Sequence, residues 1–139
     1  MGDNSAMAVL EYAVNVLGVD TIIIAGHYGC GGIKATFNKQ SLGSLESWIN
    51  DIREIRYRYR DQMTGDQAVD EPKLVELNVR EQVHRVARTP FIQNVWTQGK
   101  TLSIYGVVYD VSNGRLLPTN YVLKNFRDLE NAEIFYSWF

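Results

Sequence analysis

The sequence has 139 residues, of which 45% are hydrophobic and 22% charged, and its formal net charge is −2. These values are typical of a globular domain and predict no basic surface for nucleic acid, and no segment approaches the roughly 20 apolar residues that a membrane-spanning helix needs. A single cysteine allows no internal disulfide and the sequence does not begin like a signal peptide, so we expect a cytoplasmic protein that binds neither nucleic acid nor membrane.

The first predicted elements are a helix and a strand. The helix runs from Ala6 to Leu17, with capping side chains before it and Gly18 at its end. It is apolar almost all round, so we expect it to be buried. The run from Val19 to Ala25, closed by Gly26, is short and β-branched, which predicts a buried strand.

The later elements alternate between helix and strand. Four helical segments come first: a short helix opened by Gly31 and Gly32, a helix from Ser44 to Met63, a helix beginning at Pro72 after a polar loop from Thr64 to Asp70, and a short helix from Pro90 ended by Gly99. A strand from Thr101 to Asp110 follows, and an Asn113-Gly114 turn leads to a short returning strand from Arg115 to Leu117, stopped by Pro118. The last element is a helix from Phe126, capped by Asn125. The apolar ending from Ile134 to Phe139 adds further apolar surface. This alternation predicts an α/β fold.

Four arginines on one predicted helix and the second histidine, His84, are weaker candidates for a functional site. The helix from Ser44 to Met63 carries four arginines, at positions 53, 56, 58 and 60, but acidic residues interleave with them. That pattern favours a solvated, ion-paired face over an anion or RNA patch. His84 has no cysteine or second histidine near it in the sequence, so we expect a surface or hydrogen-bonded histidine rather than a metal ligand.

The most informative motif is His27-Tyr28-Gly29-Cys30-Gly31-Gly32, directly after the first predicted strand. Side chains at the carboxyl end of a strand lie where open α/β sheets usually bind small molecules. The imidazole of His27 and the thiol of Cys30 are zinc ligands, or a base and a nucleophile, and their spacing of three favours the metal. Gly31 and Gly32 leave backbone N–H groups open to a ligand. The glycines do not follow the spacing of a nucleotide-binding loop.

The motif resembles a known family. The segment Ile22–Gly32 resembles the second zinc-ligand motif of β-class carbonic anhydrases. Three further segments resemble the helix before that motif, the helix after it, and the last core strand with its turn: Ser5–Leu17, Leu77–Val83, and Ser103–Asp110 with Asn113-Gly114. The resemblance implies a β-carbonic anhydrase-like α/β fold with a central, mostly parallel sheet flanked by helices.

By this resemblance, His27 and Cys30 are two of three protein ligands to Zn²⁺. Gly31 matches the position whose backbone N–H faces the substrate pocket. Tyr109 matches a tyrosine that helps form a non-catalytic bicarbonate pocket in some bacterial members, although Val107 replaces its usual tryptophan neighbour. The alternative for Tyr109 is packing in the core.

One family motif is not found in this sequence. Family members carry an earlier Cys-x-Asp-x-Arg motif, whose cysteine is the remaining zinc ligand and whose Asp–Arg pair orients the reacting water, whereas the single cysteine here is Cys30. The sequence therefore resembles the carboxyl-terminal part of the enzyme, with residues 1–139 as one domain that is truncated on its N-terminal side and holds none of the catalytic Asp–Arg pair.

The resemblance implies the reversible hydration of carbon dioxide to bicarbonate, and we expect this activity to be impaired in the chain as given. The complete protein is expected to be a homo-oligomer. Two alternatives stay open: a non-catalytic zinc-binding or interaction module descended from the enzyme, and a related zinc hydrolase that acts on carbon disulfide.

Overall fold

The structure, a computed structural model, describes residues 3–137 and the side-chain surroundings as far as Ala132. Its elements are α1 (Asn4–Asn15), β1 (Thr21–His27), α2 (Gly31–Ala35), α3 (Glu46–Arg58), α4 (Gln67–Ala87), α5 (Pro90–Thr97), β2 (Ser103–Asp110), β3 (Arg115–Leu123) and α6 (Phe126–Ser137). Short 3₁₀ turns, Gly43–Leu45 and Arg60–Gln62, stand on either side of α3. In the described part of the chain, no helix is long and apolar enough to cross a membrane.

The three strands form one mixed sheet in the order β1-β2-β3. The amide of Ser103 donates to the carbonyl of Asp20, and the amide of Tyr28 donates to that of Tyr109, so β1 and β2 run in the same direction. A tight turn joins β2 to β3, where Gly114 has a φ of 70° and its N–H donates to the Asp110 carbonyl. The predicted α/β fold class is confirmed.

The chain divides into two compact units. The first is made of the described chain up to Ile24, Arg80–Gly106, and the chain from Asn120 onward. Its core contains the buried residues Val14, Ile22, Val83, Val86, Ala87, Phe91, Ile92, Trp96, Leu102, Ile104, Leu123, Leu129 and Ala132. The indole N–H of Trp96 donates to the carbonyl of Leu102 at 3.0 Å, so the largest of these side chains has its polar atom satisfied.

The second unit, Ala25–Val79 with Val107–Thr119, contains the motif from His27 to Gly32. Two arginines of α3 hold the segment that follows α2. Arg53 pairs with Glu46 and donates to the Asn38 carbonyl at 3.1 Å. Arg56 donates to the Thr36 carbonyl at 3.2 Å, and its guanidinium lies 4.1 Å from the centre of the Phe37 ring. The expected ion pairing is confirmed for Arg53, whereas both side chains are half-buried and bind backbone carbonyls, so the expected solvation of the arginine face is wrong at these two positions.

The expected burial of β1 and α1 is also wrong. β1 is an edge strand, and its residues alternate between a covered face and an open face on which Ile23 is 59% exposed. In α1, Val14 is buried, whereas Val9 and Tyr12 are exposed, and so are Val16 and Leu17 directly after the helix. An apolar stretch of sequence does not reveal whether one or both of its faces are buried.

Several boundaries differ from the predictions. α4 begins at Gln67 rather than Pro72, because the Asp66 carboxylate caps it by accepting from the Ala68 amide at 3.0 Å. β3 continues through Pro118, which an edge strand tolerates because one side of its backbone needs no partner. His84 is buried, so of its two expected placements the surface one is wrong, and that of a hydrogen-bonded histidine stays a prediction. The predicted apolar ending from Ile134 to Phe139 lies outside the described side chains.

Candidate metal centre

His27 is the last residue of β1 and is exposed. Its Nδ1 lies 2.9 Å from the carbonyl oxygen of Tyr28. A carbonyl can only accept a hydrogen bond, so this geometry assigns the proton of the neutral ring to Nδ1. The lone pair is then on Nε2, the nitrogen that is left to bind a metal.

A glycine turn connects His27 to Cys30. Gly29 has a φ of 70°, a conformation that glycine adopts without steric cost. Cys30 is the residue before the first turn of α2, and its carbonyl accepts from the Lys34 amide at 3.0 Å. Its side chain makes no capping hydrogen bond, and the thiol is free and half-buried. The sulfur is therefore not engaged in ending the helix.

The two glycines after Cys30 differ in their surroundings. A Cβ placed on Gly31 would meet nothing within 4 Å, so the backbone there is open to an approaching molecule. A Cβ on Gly32 would lie 2.5 Å from Cη2 of Trp48 and 3.6 Å from Sγ of Cys30. The indole of Trp48 and the thiol of Cys30 therefore both lie within 4 Å of the position that a Gly32 side chain would occupy. The local sequence around Trp48 carries no signal for this position beside the motif, and 58% of the residue is exposed.

Tyr28, between the two donor residues, is fixed at both ends. Its amide donates to the Tyr109 carbonyl at 3.3 Å, and its hydroxyl donates to Oε1 of Glu76 at 2.8 Å. Burial, together with the hydrogen bond and the negative charge of Glu76, raises the pKa of Tyr28 to about 12. This contact is not visible in the local sequence, because its partners are 48 residues apart.

Tyr109 lies on β2 and is 40% exposed, so the alternative that it packs in the core is wrong. Its hydroxyl lies 3.7 Å from the position of a Cβ on Gly114. Its carbonyl, as described, anchors the amide of Tyr28. The proposed bicarbonate pocket at Tyr109 stays a prediction.

The donor set fits part of a zinc site. His27 offers an imidazole nitrogen and Cys30 a sulfur, both of the type that zinc prefers. Catalytic zinc usually takes three protein ligands, and in the described residues no group of three or more His, Cys, Asp or Glu side chains could hold a metal. These residues fit as two ligands of a larger set.

Comparison with known proteins gives a consistent result. A family model described as "Carbonic anhydrase" matches residues 1–116. A carbonic anhydrase of Candida albicans is 34% identical over 131 residues, which is 91% of this chain and 46% of that protein.

Solved structures agree. A Coccomyxa β-carbonic anhydrase in complex with acetazolamide has a TM-score of 0.86 at 32% identity, covering 98% of this chain and 66% of that one. One of two tetrameric β-carbonic anhydrases from Sordaria macrospora has a TM-score of 0.79 at 25% identity, covering 88% and 63%. The chain spans about half the length of the curated relatives it matches.

Proposed function

The chain belongs to the β-class carbonic anhydrase family, and we propose on this premise that it is part of a zinc-dependent enzyme that interconverts carbon dioxide and bicarbonate. The observation that carries the proposal is the arrangement of His27 and Cys30. The first keeps its Nε2 lone pair free at the end of β1, and the second has an unengaged thiol three residues later at the start of α2.

The surroundings of the individual residues support the following roles. His27 binds the metal through Nε2 while the Tyr28 carbonyl holds its Nδ1 proton. Cys30 binds as a thiolate and so contributes a negative charge. Gly31 leaves the adjacent space open for carbon dioxide or bicarbonate, since it has no side chain there. Zinc, when bound, is a Lewis acid that makes water a nucleophile near neutral pH.

The remaining expectations belong to the whole protein. A third ligand and the Asp–Arg pair would be supplied by a Cys-x-Asp-x-Arg segment, which this sequence does not contain. A homo-oligomer is supported by the tetrameric relative of Sordaria macrospora. A cytoplasmic location is supported by the single cysteine, and a bicarbonate pocket at Tyr109 by the family resemblance alone.

The test is a stopped-flow assay of carbon dioxide hydration with and without an upstream family segment containing Cys-x-Asp-x-Arg. We expect the chain alone to bind zinc weakly and to show little activity, because two ligands bind less tightly than three and no group orients the reacting water. The extended protein should be active, and His27→Ala or Cys30→Ala should abolish that activity. An extended protein with stoichiometric zinc but no activity would contradict the proposal.

A second candidate function is a non-catalytic zinc-binding or interaction module. It is supported by the described residues themselves, which offer no three-donor group. The same assay separates the two candidates, since a module would bind zinc through His27 and Cys30 without hydrating carbon dioxide in either form. Carbon disulfide, offered as a substrate in parallel, tests the related hydrolase.

A further inference from the structure

Tyr28 lies between the two proposed zinc ligands, and it makes hydrogen bonds in three directions. Its amide donates to Tyr109 of β2, its carbonyl accepts from Nδ1 of His27, and its hydroxyl donates to Glu76 of α4. A residue that served only to connect β1 with α2 would need none of the side-chain contacts.

These contacts define where the Tyr28 carbonyl points. The hydrogen bond from the Tyr28 amide to the Tyr109 carbonyl, at 3.3 Å, holds the backbone end of the residue. The hydrogen bond from its hydroxyl to the Glu76 carboxylate, at 2.8 Å, holds the end of the side chain. The hydroxyl bond is partly buried, and it joins two groups that water would otherwise solvate separately. Because the amide and the side chain of Tyr28 are both held, fewer orientations remain for the peptide between residues 28 and 29, although Gly29 beside it is the most permissive residue of the turn.

The direction of that carbonyl determines which nitrogen of His27 carries the proton. With the carbonyl 2.9 Å from Nδ1, the protonated Nδ1 is stabilised and Nε2 keeps the lone pair. If the peptide rotated, this preference would be lost, and a ring protonated on Nε2 could not bind a metal through that atom. We propose that Tyr28, through its hydroxyl bond to Glu76, is a positioning residue that holds His27 in the tautomer able to bind metal through Nε2.

The inference deepens the proposed function, but its main test does not require metal. The chain has only two histidines, His27 and His84, so nitrogen-detected NMR of the two imidazoles in the metal-free protein is simple to assign with a His27→Gln variant. We expect the neutral His27 ring of the wild-type protein to be protonated mainly on Nδ1, the nitrogen that lies 2.9 Å from the Tyr28 carbonyl oxygen.

Four variants isolate the contact. Tyr28→Phe and Glu76→Ala each remove the hydroxyl bond and should shift the His27 tautomer toward Nε2–H. Glu76→Gln keeps an oxygen acceptor and should stay close to wild type. Tyr12→Phe removes the hydroxyl of an exposed tyrosine on α1 and is the matched control. A general loss of stability would not produce this order among the variants, and Glu76→Ala gives the answer if Tyr28→Phe fails to fold.

Metal binding is a separate readout. Titration with Cd²⁺, followed by thiolate-to-metal absorption, should show about three- to tenfold weaker binding in Tyr28→Phe and Glu76→Ala, a loss of the size of the net contribution of one ordinary hydrogen bond. A wild-type ring protonated on Nε2, or a tautomer unchanged in both variants, would overturn the inference. The expected tautomer shifts in a wild-type chain that binds no Cd²⁺ would support it and count against the proposed function alone.

Discussion

Gly26 of β1 lies so close to Val79 of α4 that a Cβ at position 26 would stand 2.6 Å from the Val79 Cγ2 atom. Val75, one turn earlier, would be 3.4 Å away. Valine side chains are stiff because both methyl groups branch from Cβ, so neither residue can turn aside without strain. The residue just before His27 is therefore glycine because the helix packs directly on the strand at this point.

We predict that Gly26→Ala destabilises the fold by about 1–3 kcal/mol through overpacking. Chemical denaturation measures the change. Gly31→Ala is the matched control, since its Cβ would meet nothing within 4 Å, and its effect should stay within about 0.5 kcal/mol or be slightly stabilising in α2. The explanation fails if both substitutions cost the same, or if adding Val79→Ala does not reduce the cost of Gly26→Ala.

A second prediction concerns Trp48, whose indole borders Cys30 across Gly32. Co²⁺ bound to the Cys30 thiolate absorbs light and should quench the fluorescence of a neighbouring indole. Of the three tryptophans in the chain, Trp48 should account for most of the quenching, so Trp48→Phe should remove it. Cys30→Ser should also remove it while leaving the emission of Trp48 in place. Equal quenching in wild type and Trp48→Phe would place the metal elsewhere.

A third prediction concerns acid stability. The Asp70 carboxylate is buried and accepts from the Thr64 amide and hydroxyl at 2.8 and 2.9 Å and from the Gly65 amide at 3.0 Å. The hydrogen bond from the Thr64 amide is the largest of the causes that lower the pKa of Asp70 below its usual value. Between the usual pKa of an aspartate and the lowered pKa of folded Asp70, the unfolded state binds more protons than the folded state. The free energy of unfolding therefore decreases as the pH falls through this interval.

Asp70→Asn should therefore be less stable at pH 7 and should lose less of its stability between neutral pH and the acid range below about pH 4, where an ordinary aspartate is protonated. Urea midpoints measured across this range give both slopes. Glu54→Gln, at an exposed position of α3, controls for replacing a carboxylate with an amide. Parallel curves for wild type and Asp70→Asn would show that the Thr64–Asp70 contact does not link folding to pH.

A fourth prediction concerns association of the chain. Val9 on α1 is 68% exposed, and Val16 and Leu17, directly after the helix, are 62% and 65% exposed, so the three form a large apolar surface. We expect the purified chain to self-associate through this surface. Val9→Glu combined with Val16→Lys should shift light-scattering masses toward the monomer with little change in thermal stability. A wild-type chain that is a monodisperse monomer at high concentration would contradict this expectation.

The helices and strands were predictable where the local signal is strong. The Asn125 side chain caps α6 by accepting from the Asp128 amide, and Pro90 opens α5, both as predicted. The start of α4 was misplaced because Pro72, a usual first-turn residue, lies inside a helix that Asp66 caps earlier. Both Asp66 and Pro72 are common at the start of a helix, and sequence preferences alone do not decide at which of the two the helix begins.

The candidate site was predictable only in part, for a similar reason. The turn from His27 to Cys30 is contained in four consecutive residues, so the sequence shows it directly. The contacts of Tyr28 with Glu76 and of Gly32 with Trp48 depend on how α3 and α4 pack, and nothing in the local sequence specifies that packing. The exposure of β1 was missed because a β-branched run is the same in a central strand and an edge strand.

The most direct test of the account is X-ray absorption spectroscopy at the zinc edge on the zinc-loaded chain. We predict one sulfur ligand at about 2.3 Å and one imidazole nitrogen at about 2.0–2.1 Å, with the remaining positions filled by oxygen. The sulfur contribution should disappear in Cys30→Ser and the imidazole contribution in His27→Gln. A zinc spectrum without sulfur, or one that neither substitution changes, would show that His27 and Cys30 do not form the metal site.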